Sequence, residues 1–498
     1  MTAPPEDFRK TLDKQPLHPL SSPLNSRGAP MSQEEYFDVA VIGAGPGGYV
    51  AAIKAAQRGK NVALIEKDFV GGTCLNCGCI PTKTLIAHAQ LLEQLHKASA
   101  YGITLGPIHF DYSKMKERKD AVILSLRKSL ESLIKSHGVT LIKGSAHFTS
   151  PKTLKITGDS LKALKADTII IATGSTTLDI PAFPCDHKNI LNSTSILEIS
   201  TLPKSLAIVG GGYIGCEFAS LYAALGVKVT LLEALPSIIS AQGKQLSDYL
   251  TKHFIKQGID IKTNVIVKSI TPYGMGVKIT LADGTSLESE KVLIAAGRKV
   301  VSSGFGLENT GLTPNAHKTI DVDDKMETSV PGLYAIGDVT GKAMLAHVAS
   351  HQGIVAATNA TGGQARMHYH AVPAVIFTLP EIAMVGLSLD EATRQGLPAK
   401  AASYPFQALG KAQATLDTEG FAQIVIHSKT RAILGAQVAG HEASTLIAPM
   451  ALAIQNELTL DCVLDTIHAH PTMAESWLEA ALIANDTPLH FPPKLKRA

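Results

Sequence analysis

The chain has 498 residues and a mass of 52.6 kDa, a length that predicts about three domains. Hydrophobic residues make up 45% of it, which excludes disorder as its main state. No apolar run approaches the ~18 residues of a membrane span. The 46 basic and 43 acidic residues give a net charge of +3, without the strong basic bias typical of nucleic-acid-binding proteins. We therefore expect neither a membrane nor a nucleic-acid partner.

The first 35 residues differ in composition from the rest of the chain. They are rich in proline and serine, lack the apolar core of a signal peptide, and contain acids that a transit peptide would lack. We predict a disordered N-terminal tail over residues 1–35, with Met31 as an alternative start. We also expect a cytoplasmic location.

A βαβ unit is predicted directly after this tail. Residues 37–42 form a buried, β-branched strand, and a glycine-rich turn over 43–48 ends it. Residues 49–57 then predict a helix of small residues, and 61–66 a second strand.

The same unit recurs further along the chain. Residues 205–209 predict a strand, 210–215 the turn, 216–225 the helix and 227–233 the next strand. In each unit the first glycine of a G-x-G-x-x-G turn lies 23 positions before an acid. One such turn is a weak signal, because a glycine turn can simply fold a βαβ unit, but two matched turns indicate two dinucleotide sites.

Each residue type in these turns has a physical use. The first glycine permits the tight turn, the second lets pyrophosphate approach, and the third lets helix and strand pack closely. The helix N-terminus offers free N–H groups to phosphate, and the acid can bind a ribose. The predicted residues are Gly43, Gly45, Gly48 and Glu66 in the first unit, and Gly210, Gly212, Gly215 and Glu233 in the second.

The second acid also bears on cofactor choice. Glu233 would repel a 2′-phosphate, and no Lys or Arg occurs between residues 229 and 243 to attract one. We therefore predict NAD rather than NADP at the second turn.

Three further predicted strands end in glycine-bearing loops. They are residues 168–172 before Thr173 and Gly174, 291–294 before Gly297, and 333–336 before Asp338. From about residue 363 the pattern changes to short antiparallel strands, such as 374–377 and 421–426, with a helix over 446–458. This last part predicts a separate α+β domain.

Three of the six cysteines, Cys74, Cys77 and Cys79, lie within six positions. Clustering in a cysteine-poor chain indicates chemistry rather than a disulfide framework. A thiol at the start of a helix has a lowered pKa, and a dithiol pair can cycle with a disulfide. The alternatives are inert cysteines or a zinc site, but no fourth ligand has metal-like spacing, so no metal is predicted.

Residues 71–83, GGTCLNCGCIPTK, match the pattern G-G-T-C-L-N-x-G-C-I-P-[ST]-K. With the two turns, the Y-A-I-G-D run ending at Asp338 and the following M-L-A-H run, the chain resembles the flavoprotein disulfide reductases, most closely their dihydrolipoamide dehydrogenase branch. The resemblance implies FAD at the first turn and NAD at the second, with Asp338 at the ribityl chain. The flavin-contacting residues it implies beyond the first turn are Lys83, Gly144, Thr173, Gly174, Asp338 and Ala346, and Gly297 joins the NAD set.

The resemblance also makes Cys74 and Cys79 the redox pair, with Cys74 exchanging with substrate and Cys79 against the flavin. Cys77 stands where this family generally has Val, and it is either a third exchanging thiol or a small buried residue. Lys83 and Glu217 are implied to pair beside the flavin, where a fixed cation stabilises negative charge on the reduced ring. An acid in the first turn of a helix also suits the helix dipole, which is the alternative account of Glu217.

Near the C-terminus, His470 and Glu475 fit the family motif H-P-T-x-x-E. A histidine suits thiol–disulfide exchange because its pKa lies near neutrality, and a carboxylate fixes its tautomer. A metal pair with His468 is the alternative. In this family the pair comes from the other subunit, so the resemblance implies a homodimer.

The predicted fold is α/β, with two Rossmann-like domains and a C-terminal α+β dimerisation domain. The expected boundaries are 36–176 for FAD, 177–297 for NAD, 298–362 for a second FAD segment and 363–498 for the interface. The expected function is NAD-dependent oxidation of dihydrolipoyl groups on the lipoyl domains of acyltransferase or glycine-cleavage carrier proteins. The alternatives are a mercuric or glutathione reductase-like enzyme and a non-catalytic assembly subunit.

Overall fold

A computed structural model describes residues 34–158 and 161–492 of the chain. The strands within these ranges, in chain order, are β1 (Glu34–Ile42), β2 (Val62–Glu66), β3 (Thr140–Lys143), β4 (Ser145–Ser150), β5 (Thr153–Thr157), β6 (Ala163–Ile171), β7 (Ser175–Thr177), β8 (Ile190–Asn192), β9 (Ser205–Val209), β10 (Lys228–Leu232), β11 (Asp260–Lys262), β12 (Val267–Tyr273), β13 (Gly276–Leu281), β14 (Ser286–Ser289), β15 (Lys291–Ile294), β16 (Arg298–Val300), β17 (Leu333–Ala335), β18 (Ala374–Ile376), β19 (Glu381–Gly386), β20 (Ala399–Pro405), β21 (Gly420–His427) and β22 (Ile433–Gly440).

The α-helices within the same ranges are α1 (Pro46–Gln57), α2 (Gly72–Cys77), α3 (Cys79–His96), α4 (Tyr112–Ser136), α5 (Tyr213–Ala224), α6 (Lys244–Lys256), α7 (Ala346–Ala360), α8 (Leu389–Arg394), α9 (Gly410–Thr415), α10 (Ala443–Leu446), α11 (Ala448–Gln455), α12 (Leu460–Asp465) and α13 (Glu475–Ala484).

The first sheet has seven strands, in the order β3-β2-β1-β6-β5-β4, with β17 also paired to β6. Strands β3, β2, β1, β6 and β17 run parallel to one another. Strand β5 pairs antiparallel with both β6 and β4. The buried residues of β1 and β2 are apolar on both faces of the sheet, as expected for a parallel sheet that helices cover on both sides. Because β17 comes from residue 333 onward, this sheet is completed by a late segment of the chain.

The second sheet is wholly parallel, in the order β11-β10-β9-β15-β8, and a three-stranded antiparallel sheet, β12-β13-β14, lies between β11 and β15 in sequence. A two-stranded pair, β7 with β16, joins the two sheet systems. In the first and second sheets the glycine-rich turns follow the parallel strands β1 and β9, at the carboxyl edge where ligands bind in such folds.

The C-terminal sheet is antiparallel, in the order β18-β19-β22-β21-β20. Helices α10, α11, α12 and α13 cover it, and Trp477 is buried there with its Nε1 donating to the Leu446 carbonyl at 2.9 Å. The antiparallel arrangement predicted for this part is therefore present.

Some element bounds differ from the sequence expectations. Strand β1 begins at Glu34, three residues before the predicted start at residue 37, so the disorder predicted for residues 34–35 is wrong and they belong to the strand. The first 33 residues of that tail lie outside the described residues. The helix predicted over 446–458 is wrong as one element, because α10 ends at Leu446 and α11 begins at Ala448. Pro449 explains the break, since proline is tolerated in the first turn of a helix but not in its interior.

Candidate active site

The first glycine-rich turn joins β1 to α1. Gly43 has a φ of +99°, and a Cβ there would lie 2.5 Å from the Ala172 carbonyl oxygen. A Cβ on Gly48 would lie only 1.8 Å from the carbonyl oxygen of Gly43. Gly45 is the N-cap of α1, and no side chain caps the helix there. The free N–H groups and dipole of α1 are thus available to a phosphate.

The acid of this unit is held at the edge of the turn. Glu66 Oε2 accepts a hydrogen bond from the Ala44 N–H at 2.7 Å, and Oε1 accepts one from the Asp68 N–H at 2.8 Å. The Gly144 N–H donates to the backbone carbonyl of Glu66 at 2.9 Å, so these two predicted residues lie together. The turn, the open helix end and the fixed carboxylate fit the dinucleotide part of FAD.

The second turn repeats this arrangement between β9 and α5. A Cβ on Gly210, where φ is +109°, would lie 2.5 Å from the Ala295 carbonyl oxygen. A Cβ on Gly215 would lie 1.9 Å from the Gly210 oxygen, whereas Gly212, the N-cap of α5, faces open space. This turn fits the dinucleotide NAD equally well.

Glu233 is buried beside the second turn. Its Oε2 accepts from the Gly211 N–H at 2.6 Å and its Oε1 from the Leu235 N–H at 2.7 Å. The carboxylate therefore occupies the same place relative to its turn as Glu66 does, as the equal spacing predicts.

The other residues implied for FAD lie around β6 and β17. Thr173 and Gly174 follow β6, and the Thr173 hydroxyl donates to the Val301 carbonyl at 2.6 Å. Asp338 lies just after β17 and accepts a hydrogen bond from the Ser175 hydroxyl. Ala346 is the first residue of α7.

The cysteine cluster lies directly against the first turn. A Cβ on Gly72 would lie 2.7 Å from the Gly45 Cα, so the start of α2 packs on the turn through bare backbone. Cys74 lies within α2, and Cys79 is the first residue of α3. Cys79 is thus at the N-terminus of an 18-residue helix, where the dipole favours a thiolate.

The two thiols of the predicted redox pair have different acidities. A hydrogen bond from Cys74 and the nearby Lys83 ammonium lower the pKa of Cys79 to about 7, although burial opposes this. The same pairing with Cys79, together with burial, raises the pKa of Cys74. In the dithiol form Cys79 therefore carries the thiolate.

Cys77 lies at the end of α2 and differs from this pair. Burial raises its pKa, and the hydrogen bond with the Thr194 side chain and the charge of Arg298 only partly offset that effect. A thiol held protonated is a poor nucleophile. Cys77 is partly buried, as Cys74 and Cys79 are, so its role as a third exchanging thiol or as a replacement for Val stays a prediction.

The implied pair of Lys83 and Glu217 is present in the structure. Lys83 Nζ lies 2.7 Å and 2.8 Å from the two carboxylate oxygens of Glu217. Glu217 is buried in α5 and also accepts a hydrogen bond from the Phe377 N–H at 3.0 Å. The ammonium lies 4.6 Å from the centroid of the Phe377 ring. These contacts hold one cation, contributed by α3, in place beside α5.

His470 and Glu475 form the predicted second pair. His470 Nδ1 lies 2.8 Å from Glu475 Oε1, and Glu475 Oε2 accepts from the Thr472 N–H at 2.8 Å. Burial raises the pKa of Glu475, but the hydrogen bonds from Thr472 and His470 outweigh it and lower the pKa overall. The His470 side chain is 75% exposed, and no hydrogen bond or ion pair within the described residues joins it to Cys74 or Cys79.

Comparison with known proteins agrees with this geometry. Residues 37–353 match the pyridine nucleotide-disulphide oxidoreductase model, and residues 372–481 match the dimerisation domain of the same proteins. The chain belongs to the pyridine nucleotide-disulphide oxidoreductase family.

Individual relatives show which members of this family the chain is similar to. A protein named dihydrolipoyl dehydrogenase from Chlamydia pneumoniae is 50% identical over 93% of this chain and 100% of its own length. A crystal structure of LpdA from Mycobacterium tuberculosis has a TM-score of 0.85 at 29% identity, covering 90% of this chain and 99% of that one. The HOCl-induced flavoprotein disulfide reductase RclA from Escherichia coli, as a Cu(II) complex, has a TM-score of 0.82 at 28% identity, covering 90% of this chain and 99% of that one.

These relatives place the chain among the dihydrolipoyl dehydrogenases of the pyridine nucleotide-disulphide oxidoreductase family. The predicted fold class, enzyme class and cofactors, FAD and NAD, are confirmed. The dimerisation domain supports a homodimer. No helix of the described residues is long and apolar enough to cross a membrane, and those residues contain no group of three or more potential metal ligands.

One residue of this oxidoreductase site was missed from the sequence. Arg298 follows Gly297, whose φ is +130°, and its side chain is 11% exposed. It donates to Ser175 Oγ at 2.7 Å and lies 3.8 Å from Asp338 Oδ2 and 3.5 Å from Thr73 Oγ1. A lone arginine at the start of a short strand carries no signal of these contacts, because all three partners are distant in sequence.

Proposed function

We propose that the chain oxidises protein-bound dihydrolipoyl groups through a Cys74–Cys79 disulfide and reduces NAD+ to NADH. The observation that carries the proposal is the Cys79 thiol, whose pKa is lowered to about 7 by the neighbouring Cys74 and Lys83. The helix that carries Cys74 packs its Gly72 on Gly45 of the first glycine-rich turn. The first turn and Glu66 would hold FAD, and the bound flavin would supply two-electron transfer between the dithiol and NAD+.

The thiol steps follow from the two acidities. A dihydrolipoyl thiolate attacks Cys74 Sγ, the Cys74–Cys79 bond breaks, and Cys79 leaves as a thiolate. A lower pKa makes a better leaving thiolate, and Cys79 is the thiol with the pKa of about 7. The second substrate thiol then attacks the first substrate sulfur and releases Cys74. The products are the lipoyl disulfide and the enzyme dithiol, and the two electrons have moved from substrate to enzyme.

Lys83 and Glu217 stabilise the negative charge that the thiol steps leave in the site. The ammonium contributes to the lowered pKa of Cys79, so it stabilises negative charge at this point of the site. Glu217 is buried and bound by both Lys83 and the Phe377 N–H, so it fixes the position of that cation. A fixed cation requires no reorganisation when negative charge develops beside it.

The base for the thiol step is His470, with Glu475 holding its tautomer. The imidazole is largely exposed and belongs to the segment that matches the dimerisation domain, and no hydrogen bond or ion pair among the described residues joins it to the thiols. We infer that it faces the thiols of the second subunit, so each complete site uses two chains. The substrate is a dihydrolipoyl group on the lipoyl domain of an acyltransferase or glycine-cleavage carrier, and the enzyme is cytoplasmic.

Substrate comparison tests the activity itself. NAD+ reduction by dihydrolipoamide should exceed NADH- or NADPH-dependent reduction of glutathione disulfide or Hg²⁺, and the reverse order would show a sister reductase instead. A chain that binds FAD but reduces none of these substrates would be a non-catalytic assembly subunit.

Subunit mixing tests the shared site. His470→Gln should lower dihydrolipoamide turnover by about 10²–10⁴-fold, because general base catalysis is worth that much. Inactive His470→Gln and Cys79→Ser subunits are then mixed under conditions that allow exchange. A heterodimer with shared sites has one site with both lesions and one with neither, so it should recover about half of wild-type activity. No recovery, with heterodimers confirmed by differently tagged subunits, would contradict sharing.

A further inference from the structure

The helix that carries Cys74 has little stability of its own. Helix α2 has only six residues, and isolated helices shorter than about 12 residues are marginal in water. Its N-cap, Gly71, has a φ of +91°, Gly72 has a φ of +54°, and no side chain caps this end. The position of Cys74 must therefore be set by contacts with the rest of the molecule.

Asn76 provides the densest set of these contacts. Its Nδ2 donates to the Val70 carbonyl at 3.0 Å and to the Gly72 carbonyl at 2.9 Å. These hydrogen bonds connect the helix to the residues that precede it. Its Oδ1 accepts two hydrogen bonds from Arg127 of α4, from Nε at 3.0 Å and from Nη2 at 2.7 Å. Both ends of the amide are thus used.

Arg127 contacts the other end of the same segment as well. Its guanidinium carbon lies 3.6 Å from the centroid of the Phe69 ring, and Phe69 immediately precedes Val70. Arg127 therefore holds residues 69 and 76 at the same time, and Cys74 lies between them. A planar guanidinium can donate through a fork and stack on a ring at once, which an ammonium cannot do.

Helix α4 is a firm support for these contacts. It has 25 residues, and its Lys119 side chain is fully buried, with Nζ donating to the Leu197 carbonyl at 2.9 Å and lying 3.1 Å from Glu198 Oε1. A change at Arg127 leaves this anchor in place, so its effect should pass to α2 rather than to α4.

We propose that Arg127 is a positioning residue for the redox dithiol. It orders α2 so that Cys74 Sγ is aligned both with Cys79 and with the attacking substrate sulfur. The positioning depends on the fork of hydrogen bonds and on the ring contact, both of which Arg127→Lys would lose while it keeps the charge. The inference rests on the proposed role of the Cys74–Cys79 pair.

Three variants of the holoenzyme test this role. Arg127→Lys keeps the charge but loses the fork, Arg127→Gln loses both, and Lys128→Gln removes a neighbouring exposed charge on the same helix as a control. Both Arg127 variants should lower kcat for NAD+ reduction by dihydrolipoamide about tenfold or more, with KM unchanged, because a misplacement of about 1 Å can cost up to 10²-fold. Lys128→Gln should match the wild type.

A second assay separates positioning from general damage. NADH-dependent reduction of ferricyanide takes electrons from the flavin and does not use the dithiol, so it should be unchanged in all three variants. FAD content and the melting temperature identify any misfolded variant, and Arg127→Lys, which keeps a long aliphatic stem, remains available if Arg127→Gln is unstable.

The outcomes are distinct. Wild-type kcat in Arg127→Lys, or an equal loss of both activities in correctly folded variants, would overturn the positioning role. A wild-type enzyme that does not oxidise dihydrolipoamide would instead contradict the proposed function, and the same variants would then be compared on the disulfide substrate that the enzyme does use.

Discussion

The turns at residues 43–48 and 210–215 have nearly the same geometry. A Cβ on the third glycine would lie 1.8 Å from the first glycine's oxygen in one turn and 1.9 Å in the other. Each acid accepts a hydrogen bond from the N–H that follows the first glycine, at 2.7 Å and 2.6 Å. The backbone therefore forms the same kind of pyrophosphate-binding turn in both units.

The two units differ in the residues that follow the acid. After Glu66 the chain runs into α2, which packs its Gly72 against Gly45 and brings thiols to the first turn. After Glu233 the chain folds back over its own turn, with the Ile239 N–H donating to the Gly211 carbonyl at 2.8 Å. Dinucleotide binding is therefore common to both units, and the redox chemistry is specified by a short segment after one of them.

The largest effect should come from removing the thiol chemistry without touching either turn. Cys79→Ser should lower dihydrolipoamide turnover by about 10³-fold or more, as loss of a covalent catalytic group does in other enzymes. The protein should still contain a full complement of FAD, measured by absorbance after denaturation. Cys77→Val is the matched control and should keep most activity. An inactive Cys77→Val with an active Cys79→Ser would indicate a Cys74–Cys77 disulfide instead.

The next effect should distinguish the two turns by equal substitutions. Gly48→Ala and Gly215→Ala introduce nearly the same clash, and overpacking of this kind typically costs about 1–3 kcal/mol. Gly48→Ala should lose FAD during purification, whereas Gly215→Ala should keep FAD and bind NAD+ about tenfold or more weakly. Bound flavin and NAD+ titration measure the two losses. Identical losses in both variants would mean that the turns do not serve different cofactors.

A smaller effect is expected on cofactor selectivity. Wild-type kcat/KM should strongly favour NAD+ over NADP+, because the buried Glu233 carboxylate repels a 2′-phosphate. Glu233→Ala combined with Ala234→Arg should reduce this preference by about tenfold, while the single Ala234→Arg change should reduce it less. Comparable kcat/KM for both cofactors in the wild type would exclude the assignment.

The smallest effect is a shift in thiol acidity beside the first turn. In the reduced enzyme, alkylation of Cys79 should increase with pH around a midpoint near its pKa of about 7, because only the thiolate reacts. Lys83→Met removes a cation that lowers this pKa, so the midpoint should move upward. Iodoacetamide labelling followed by mass spectrometry measures both profiles. An unchanged midpoint would show that Lys83 does not act on the thiol.

Much of this arrangement could be predicted from the sequence because it depends on local patterns. The strands β9 and β15 have the predicted bounds, since each is a short apolar run ended by glycine. Both dinucleotide turns and their acids were also predictable, because a G-x-G-x-x-G turn in a βαβ unit fixes their relative positions within about 25 residues.

The remaining contacts could not be predicted from local patterns. The Lys83–Glu217 pair joins residues 134 positions apart, and only the family resemblance implied it. Neither Arg127 nor Arg298 was identified, because the partners of each are distant in sequence and a single arginine carries no local signal of them. The sheet of β12, β13 and β14 was missed as well, because β12 and β14 alternate apolar and polar residues only weakly. The middle strand β13 does alternate, from Val277 to Leu281.

The pairing of β7 with β16 has a consequence for engineering. Thr177 lies opposite Arg298 in this antiparallel pair, so residues 178–297 leave and rejoin the protein at adjacent points. That stretch contains the whole second parallel sheet. It forms a cassette, a segment whose two ends already lie side by side. A grafted dinucleotide unit needs no added linker, but it must supply a carboxylate at the position of Glu217, because Lys83 lies outside the cassette.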